Sequence, residues 1–209
     1  MFRNIDYASV VGFEIGLTRR LSKNWSFEGN YAYSVAKGNS SEPLQGFWNA
    51  YYQQPEARQE YYLDFDRRHT LKGMMIYQTG KNSFSSGFLN SVLSDVTVGV
   101  AASFASGLPY TPYSGAGEQL ALTNSARMDA SMTVDLRLSK ILMRTPAKIT
   151  LLVYVDNLFD FINDLRVNSE TGEPWDAPLV GNDIAFDQLY DPSKVDVPRM
   201  IKAGVNVEL

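Results

Sequence analysis

The side chains able to do chemistry are few and scattered. The chain has one histidine, His69, and no cysteine. Metal centres usually gather several nitrogen or sulfur ligands, and a Ser-His-Asp relay needs a placed nucleophile beside its base. His69 follows Arg67 and Arg68 at the start of an extended segment, which points to a structural or interfacial role. No phosphate-cradling loop stands out, and no two carboxylates are spaced for acid–base work. The residues therefore predict no catalysis and no cofactor.

Two other groupings are richer. Between Asn39 and Asp66 lie Phe47, Trp48, Tyr51, Tyr52, Tyr61, Tyr62 and Phe65. Rings on a loop stack against sugars, porphyrins or siderophores, or insert into a partner. Alternatively they pack the loop on itself or line a headgroup belt. Phe47, Trp48, Tyr51, Tyr52, Tyr61 and Tyr62, with Trp175 from a later loop, are the ligand-binding candidates. That later loop is acidic from Asp160 to Asp196, and Asp183, Asp187 and Asp191 are its calcium candidates. Their spacing matches no EF-hand, and a solvated acidic surface explains the run without a metal.

The elements that position these groups read as strands. Val11, Phe13, Ile15 and Leu17 alternate with Gly12, Glu14, Gly16 and Thr18. The same two-residue period recurs over Trp25–Gly38, more weakly over Arg67–Gly80, and again over Val96–Gly107, Asp129–Ile141, Lys148–Asp160 and Arg199–Leu209. Seven long antiparallel strands in a meander are expected, with a short helix within "SGFLNSVLSD". The connections after strands one and five are tight, whereas those after two and six are long. The link after strand three, about 13 residues, is the one exception to a short–long alternation. That alternation fits a transmembrane β-barrel with short periplasmic turns and long outer loops.

The two faces differ in kind. One carries Val, Ile and Leu at mid-strand, with Trp25, Tyr33, Phe104 and Phe159 near strand ends, resembling an aromatic girdle. The other carries Gly, Ser, Thr, Asn and Ala with isolated charges, which suits a hydrated or plugged interior. Glu14, Glu28, Lys72, Asp135, Arg137, Lys202 and Glu208 are expected to face that lumen, where they would hold a plug or set ion selectivity. A charge at mid-depth on the lipid side costs about 2–4 kcal/mol, and none is centrally placed there. Arg19 shares the apolar parity but lies at the turn end, where it can snorkel. A soluble β-sandwich binding module is the alternative that these patterns leave open.

Composition narrows the partners. With 209 residues and a net charge of −4 there is no basic stripe, so nucleic acid is not expected. No apolar run reaches the roughly 18 residues of a membrane-spanning helix. The N-terminal residues do not read as a signal peptide.

Several phrases, in order, resemble the C-terminal end of TonB-dependent outer-membrane receptors, and most of all the carboxypeptidase-regulatory-like, Oar-type ones. They are "GNYAYSVAKGNSSEP", "FDRRHTL", "SGLPYTPY", "NSARMDASMTVDLRLSK", "VYVDNLFD", "VNSETGEPW" and "PRMIKAGVNVEL". The resemblance implies a 22-stranded barrel, an N-terminal plug and a TonB box coupling uptake to the inner membrane. Seven strands cannot form that barrel alone, and this sequence contains neither plug nor TonB box. The chain thus reads as a single segment, the C-terminal third of a larger barrel, whose partners are outer-membrane lipid, the missing strands and plug, and the TonB system through them. An accessory component completing another outer-membrane assembly is the runner-up.

Overall fold

The computed structural model describes residues 7–22, 24–42, 44–53, 59–81, 83, 85–114, 116–174 and 192–209. In chain order the elements are β1 (Ala8–Ser22), β2 (Trp25–Gly38), α1 (Gln45–Tyr51), β3 (Tyr61–Tyr62), β4 (His69–Gln78), α2 (Gly87–Leu93), β5 (Val96–Ala105), β6 (Pro109–Tyr110), β7 (Ala126–Arg127), β8 (Ser131–Met143), β9 (Lys148–Asp156) and β10 (Met200–Glu208). Each of the seven alternating segments becomes a long strand, with boundaries a few residues from those expected. The short elements lie in the connections. Asn24, at φ 81°, turns β1 into β2 in a left-handed conformation that asparagine tolerates.

The sheet is an antiparallel meander in the order β1-β2-β4-β5-β8-β9-β10, with β3 pairing β2 beyond the end of β4. β6 and β7 form a separate two-stranded ribbon. Because directly paired residues point to the same side, the register tests the face assignment. Arg19, Phe27, Met75, Val100, Leu136, Val155 and Ile201 form one continuous row across all seven strands. On the other side Ser26, Ile76, Gly99, Arg137, Tyr154 and Lys202 form another. The apolar row starts at the turn end of β1 and finishes at the loop end of β10. Such stagger is what strands tilted against a barrel axis require.

Among the described residues the apolar face has no second layer. Buried apolar side chains among the described residues are Ala36, Leu63 and Val155, whereas Val11 is 70% and Ile201 67% exposed. The substantial contacts between elements are between hydrogen-bonded neighbours. A soluble sandwich needs two apolar faces meeting, and among the described residues none meet, so that alternative is set aside.

Aromatic residues bracket the apolar face. Toward the loop end, Phe13 lies 5.9 Å from Tyr31 and 5.8 Å from Tyr33, and Tyr33 lies 5.2 Å from His69. The Tyr31 hydroxyl meets His69 Nδ1 at 2.9 Å. At the turn end, the guanidinium of Arg19 sits 3.8 Å over the Trp25 ring, which gives this cation an interfacial partner. Trp25 pairs with Tyr77, and Tyr33 with His69. From Trp25 to Tyr33 is roughly 26 Å of strand, or about 20 Å along the axis at a 40° tilt. That is close to the apolar height of an outer-membrane barrel. Between the belts the Phe27 ring lies over Gly29, where an added Cβ would fall 2.8 Å from Cζ. The ring covers backbone that the glycine leaves bare.

Candidate functional site

The polar face is built from small residues with charges set among them. Gly16, Asn30, Lys72, Ser103 and Thr133 form one row, and Thr18, Glu28, Met74, Ala101 and Asp135 the next. Glycine, serine and alanine leave room between the longer side chains, so the face is hollowed rather than flat. A cavity of about 290 Å³ opens among Glu28, Asn30, Lys72, Ser103, Thr133 and Asp135. Ser103 and Thr133 share a 2.6 Å hydroxyl bond at its wall. A second cavity, about 390 Å³, is lined by Thr97, Arg137, Ser139 and Tyr154 among others.

All seven charges expected to face the lumen lie on this side by register, but they are not one cluster. Glu28, Lys72 and Asp135 share the first cavity, and Arg137 lines the second. Lys202 Nζ pairs with Asp156 at 2.9 Å, and Glu208 pairs with Lys148 at 3.0 Å. Glu14 stands on the exposed first strand, opposite Ala32.

Asp135 also closes the turn in "VDNLFD". Its Oδ1 accepts the backbone N–H of Asn157 at 2.9 Å. The buried Asn157 side chain then clasps Phe161 at both backbone groups, donating to O at 2.9 Å and accepting from N at 3.0 Å. Asn163 does the same for Met132, with bonds of 2.7 and 2.9 Å. It supplies the pairing that β9 has left at the end of β8. Thus the descent from β9 is stitched to β8 by side-chain amides acting as backbone.

At the loop end, the long connections converge on Asp66. Its side chain has no exposed surface. Ala36 N–H donates to Oδ1 at 2.6 Å, Arg68 Nε donates to Oδ2 at 3.0 Å, and Arg127 also donates to Oδ2. Arg127 Nη1 further reaches the carbonyls of Asp66 at 3.0 Å and Gly107 at 3.1 Å. Burial alone pushes the Asp66 carboxyl up. The bonds from Ala36, Arg127 and Arg68 outweigh it and hold the group below its ordinary value. Tyr62 is the floor, with Arg68 at 4.4 Å, Lys37 at 5.1 Å and Arg127 at 5.5 Å from its ring. Asn124 ties the opposite loop in, donating to Tyr62 O at 2.7 Å and Asp64 Oδ1 at 2.6 Å.

The aromatic candidates divide into two sets on this platform. Phe47, Trp48 and Tyr51 stand exposed on α1 and Tyr52 just past its end, ring against ring at 5.1–6.4 Å. Tyr61 and Tyr62 are fixed in β3, and Tyr61 lies within hydrogen-bond distance of Gln45. Both also line a cavity of about 390 Å³ with Gln59, Glu60, Leu122, Thr123 and Ser125. Trp175, Asp183, Asp187 and Asp191 lie outside the described residues. Asp164, in the same acidic loop, is pushed up by burial and by its neighbours Asp129 and Glu173. The Asp66–Arg68–Arg127 junction is absent from the sequence expectations. Its only trace there is that its residues fall in "FDRRHTL" and "NSARMD".

The chain matches the family model described as the outer membrane beta barrel domain over residues 2–147, and it belongs to that family. The match spans β1 to β8, and β9 and β10 continue the same sheet beyond it. No curated protein matches the chain. The protein is therefore an all-β component of the bacterial outer membrane. In a barrel of this family the apolar face of such a sheet suits lipid and the polar face the interior.

Proposed function

We propose that this chain is the C-terminal barrel portion of a TonB-dependent receptor, which captures a ligand at its outer loops and admits it through a plugged barrel. The observation that carries this reading is the pair of open edges on a seven-strand wall. β1 and β10 have no neighbour on their outer sides among the described residues. Hydrocarbon cannot satisfy those N–H and C=O groups, so further strands complete the barrel. The charged, hollowed polar face supports this reading, because Glu28, Lys72 and Asp135 offer hydrogen-bonding groups to a plug. The ordered phrases named above favour the TonB-dependent class. The aromatic residues on α1 and the cavity beside Tyr61 and Tyr62 are the loop surface for capture.

In this reading the partners are lipid, the remaining strands and plug, and the TonB system through the plug. No catalytic step or cofactor enters it. The test is the intact mass of the native protein in the outer-membrane fraction, detected with an antibody against residues 39–66. A species several times heavier than 23.4 kDa is expected. A species of that mass itself would favour an accessory component completing another assembly.

A further inference from the structure

The one connection that breaks the short–long alternation is the turn-end link between β4 and β5, and it carries α2. This helix has a polar side, Asn90 and Ser91, and an apolar side, Phe88, Leu89, Val92 and Leu93. At 100° per residue the four apolar positions span roughly 140° of the helix. The apolar side is left exposed: Phe88 is 76% exposed, Val92 45%, Leu89 44% and Leu93 40%. From Ser85 to Ser94 there is no charged residue.

The helix is also held in place. Lys140 Nζ donates to the carbonyls of Ser91 at 2.9 Å, Val92 at 2.8 Å and Ser94 at 3.1 Å, and so compensates the negative end of a short helix. Thr79 Oγ1 donates to Leu93 O at 2.6 Å. Lys140 pairs with Val96 and Leu151, so it is rooted on the apolar face, and Thr79 follows Tyr77 in the same parity. Both grips reach α2 from the lipid side of the wall.

We propose that α2 is a membrane-surface anchor that seats Phe88, Leu89 and Val92 in the phospholipid leaflet at the turn end of the barrel. The occupant follows from continuity. Lys140 and Thr79, which hold the carbonyls of α2, stand on the apolar face beside Val96, and the Arg19–Trp25 pair marks the headgroup level at this end of the wall. Amphipathic helices lie in that boundary plane with the apolar side toward the acyl chains. The anchor fixes the azimuth and depth of this part of the wall. It rests on the assignment of the apolar face to lipid.

The test uses the cysteine-free sequence. A nitroxide is placed at Phe88→Cys, Val92→Cys, Val134→Cys or Glu118→Cys in the native protein in phospholipid vesicles. Oxygen and water-soluble nickel-chelate accessibilities are then compared. Phe88 and Val92 labels are expected to favour oxygen, close to the mid-wall Val134 label and unlike the Glu118 label in an outer loop. Nickel-dominated access at Phe88 and Val92, with Val134 still oxygen-dominated, would overturn the anchor and leave the barrel standing. Labels shielded from both reagents would also overturn it, by placing a protein partner on the helix. Nickel access at Val134 would remove the lipid face itself.

Discussion

Asp66 and Arg127 lie 61 positions apart and form an ion pair at the loop end of the sheet, with no exposed surface on the carboxylate side chain. Through that pair and Arg68, the connection after β2 and the connection after β5 are held at one point. Asp66→Asn keeps an acceptor for Ala36 but removes the charge. Breaking a fully buried pair costs about 3–5 kcal/mol. Both guanidiniums here reach solvent, so about 1–3 kcal/mol is expected, lost from the loops and not from the wall. Faster hydrogen exchange at residues 59–66 and 106–130, with β5 and β8 unchanged, is the readout.

The same contact sets a pH dependence. Asp66 has a folded-state pKa below its ordinary 3.8, so its stabilisation is complete above the ordinary carboxylate range. It is lost as pH falls through the lowered value. Asp164 has the opposite sign. Its pKa is raised, so its charge costs stability at neutral pH, and that cost is relieved on acidification. Hydrogen exchange corrected for intrinsic rates should show residues 161–168 tightening first and residues 59–66 opening only at lower pH.

Tyr62 and Tyr52 separate platform from candidate contact. Tyr62 lies beneath three cations, whereas Tyr52, just past the end of α1, is 64% exposed. Tyr62→Ala should loosen the Asp66 junction by about 1–2 kcal/mol, because cation–π contacts and buried ring area go together. Tyr52→Ala should change stability by less than about 0.5 kcal/mol. Protease sensitivity of the two variants in membranes distinguishes them.

Gly107 is required by close approach. A Cβ there would fall 1.7 Å from the Met128 carbonyl oxygen. Gly107→Val must push β6 from β7 and withdraw the Gly107 carbonyl from Arg127. A loss of about 2 kcal/mol or more in the stability of residues 106–130 is expected, measurable by the same exchange experiment.

The faces predict opposite outcomes for one substitution. Leu136→Arg places a cation at mid-wall on the lipid side and should cost about 2–4 kcal/mol of stability. Ser103→Arg, on the hollow polar side, should fold with much less loss. Urea unfolding in lipid vesicles compares them.

Much of this was legible in the sequence because a two-residue period is a local property. The alternation Met132, Val134, Leu136, Leu138 survives in register against β5 and β9. The loop chemistry was not legible, since Asp66 finds Arg127 and Asn163 finds Met132 only after distant segments have folded. "VDNLFD" stood out as a phrase, yet its reason, Asn157 clasping Phe161, lies in side-chain geometry. The aromatic run Phe47 to Tyr62 gave no sign that Tyr62 would be a floor and Tyr52 a free face.

The most direct measurement is oxygen accessibility of nitroxides placed singly from Met132 to Ser139 along β8 in phospholipid vesicles. Maxima at Met132, Val134, Leu136 and Leu138, with minima at Thr133, Asp135, Arg137 and Ser139, are expected for a wall with lipid on one side and a polar interior on the other. A profile without that two-residue period, or with the maxima on the odd positions, would contradict it.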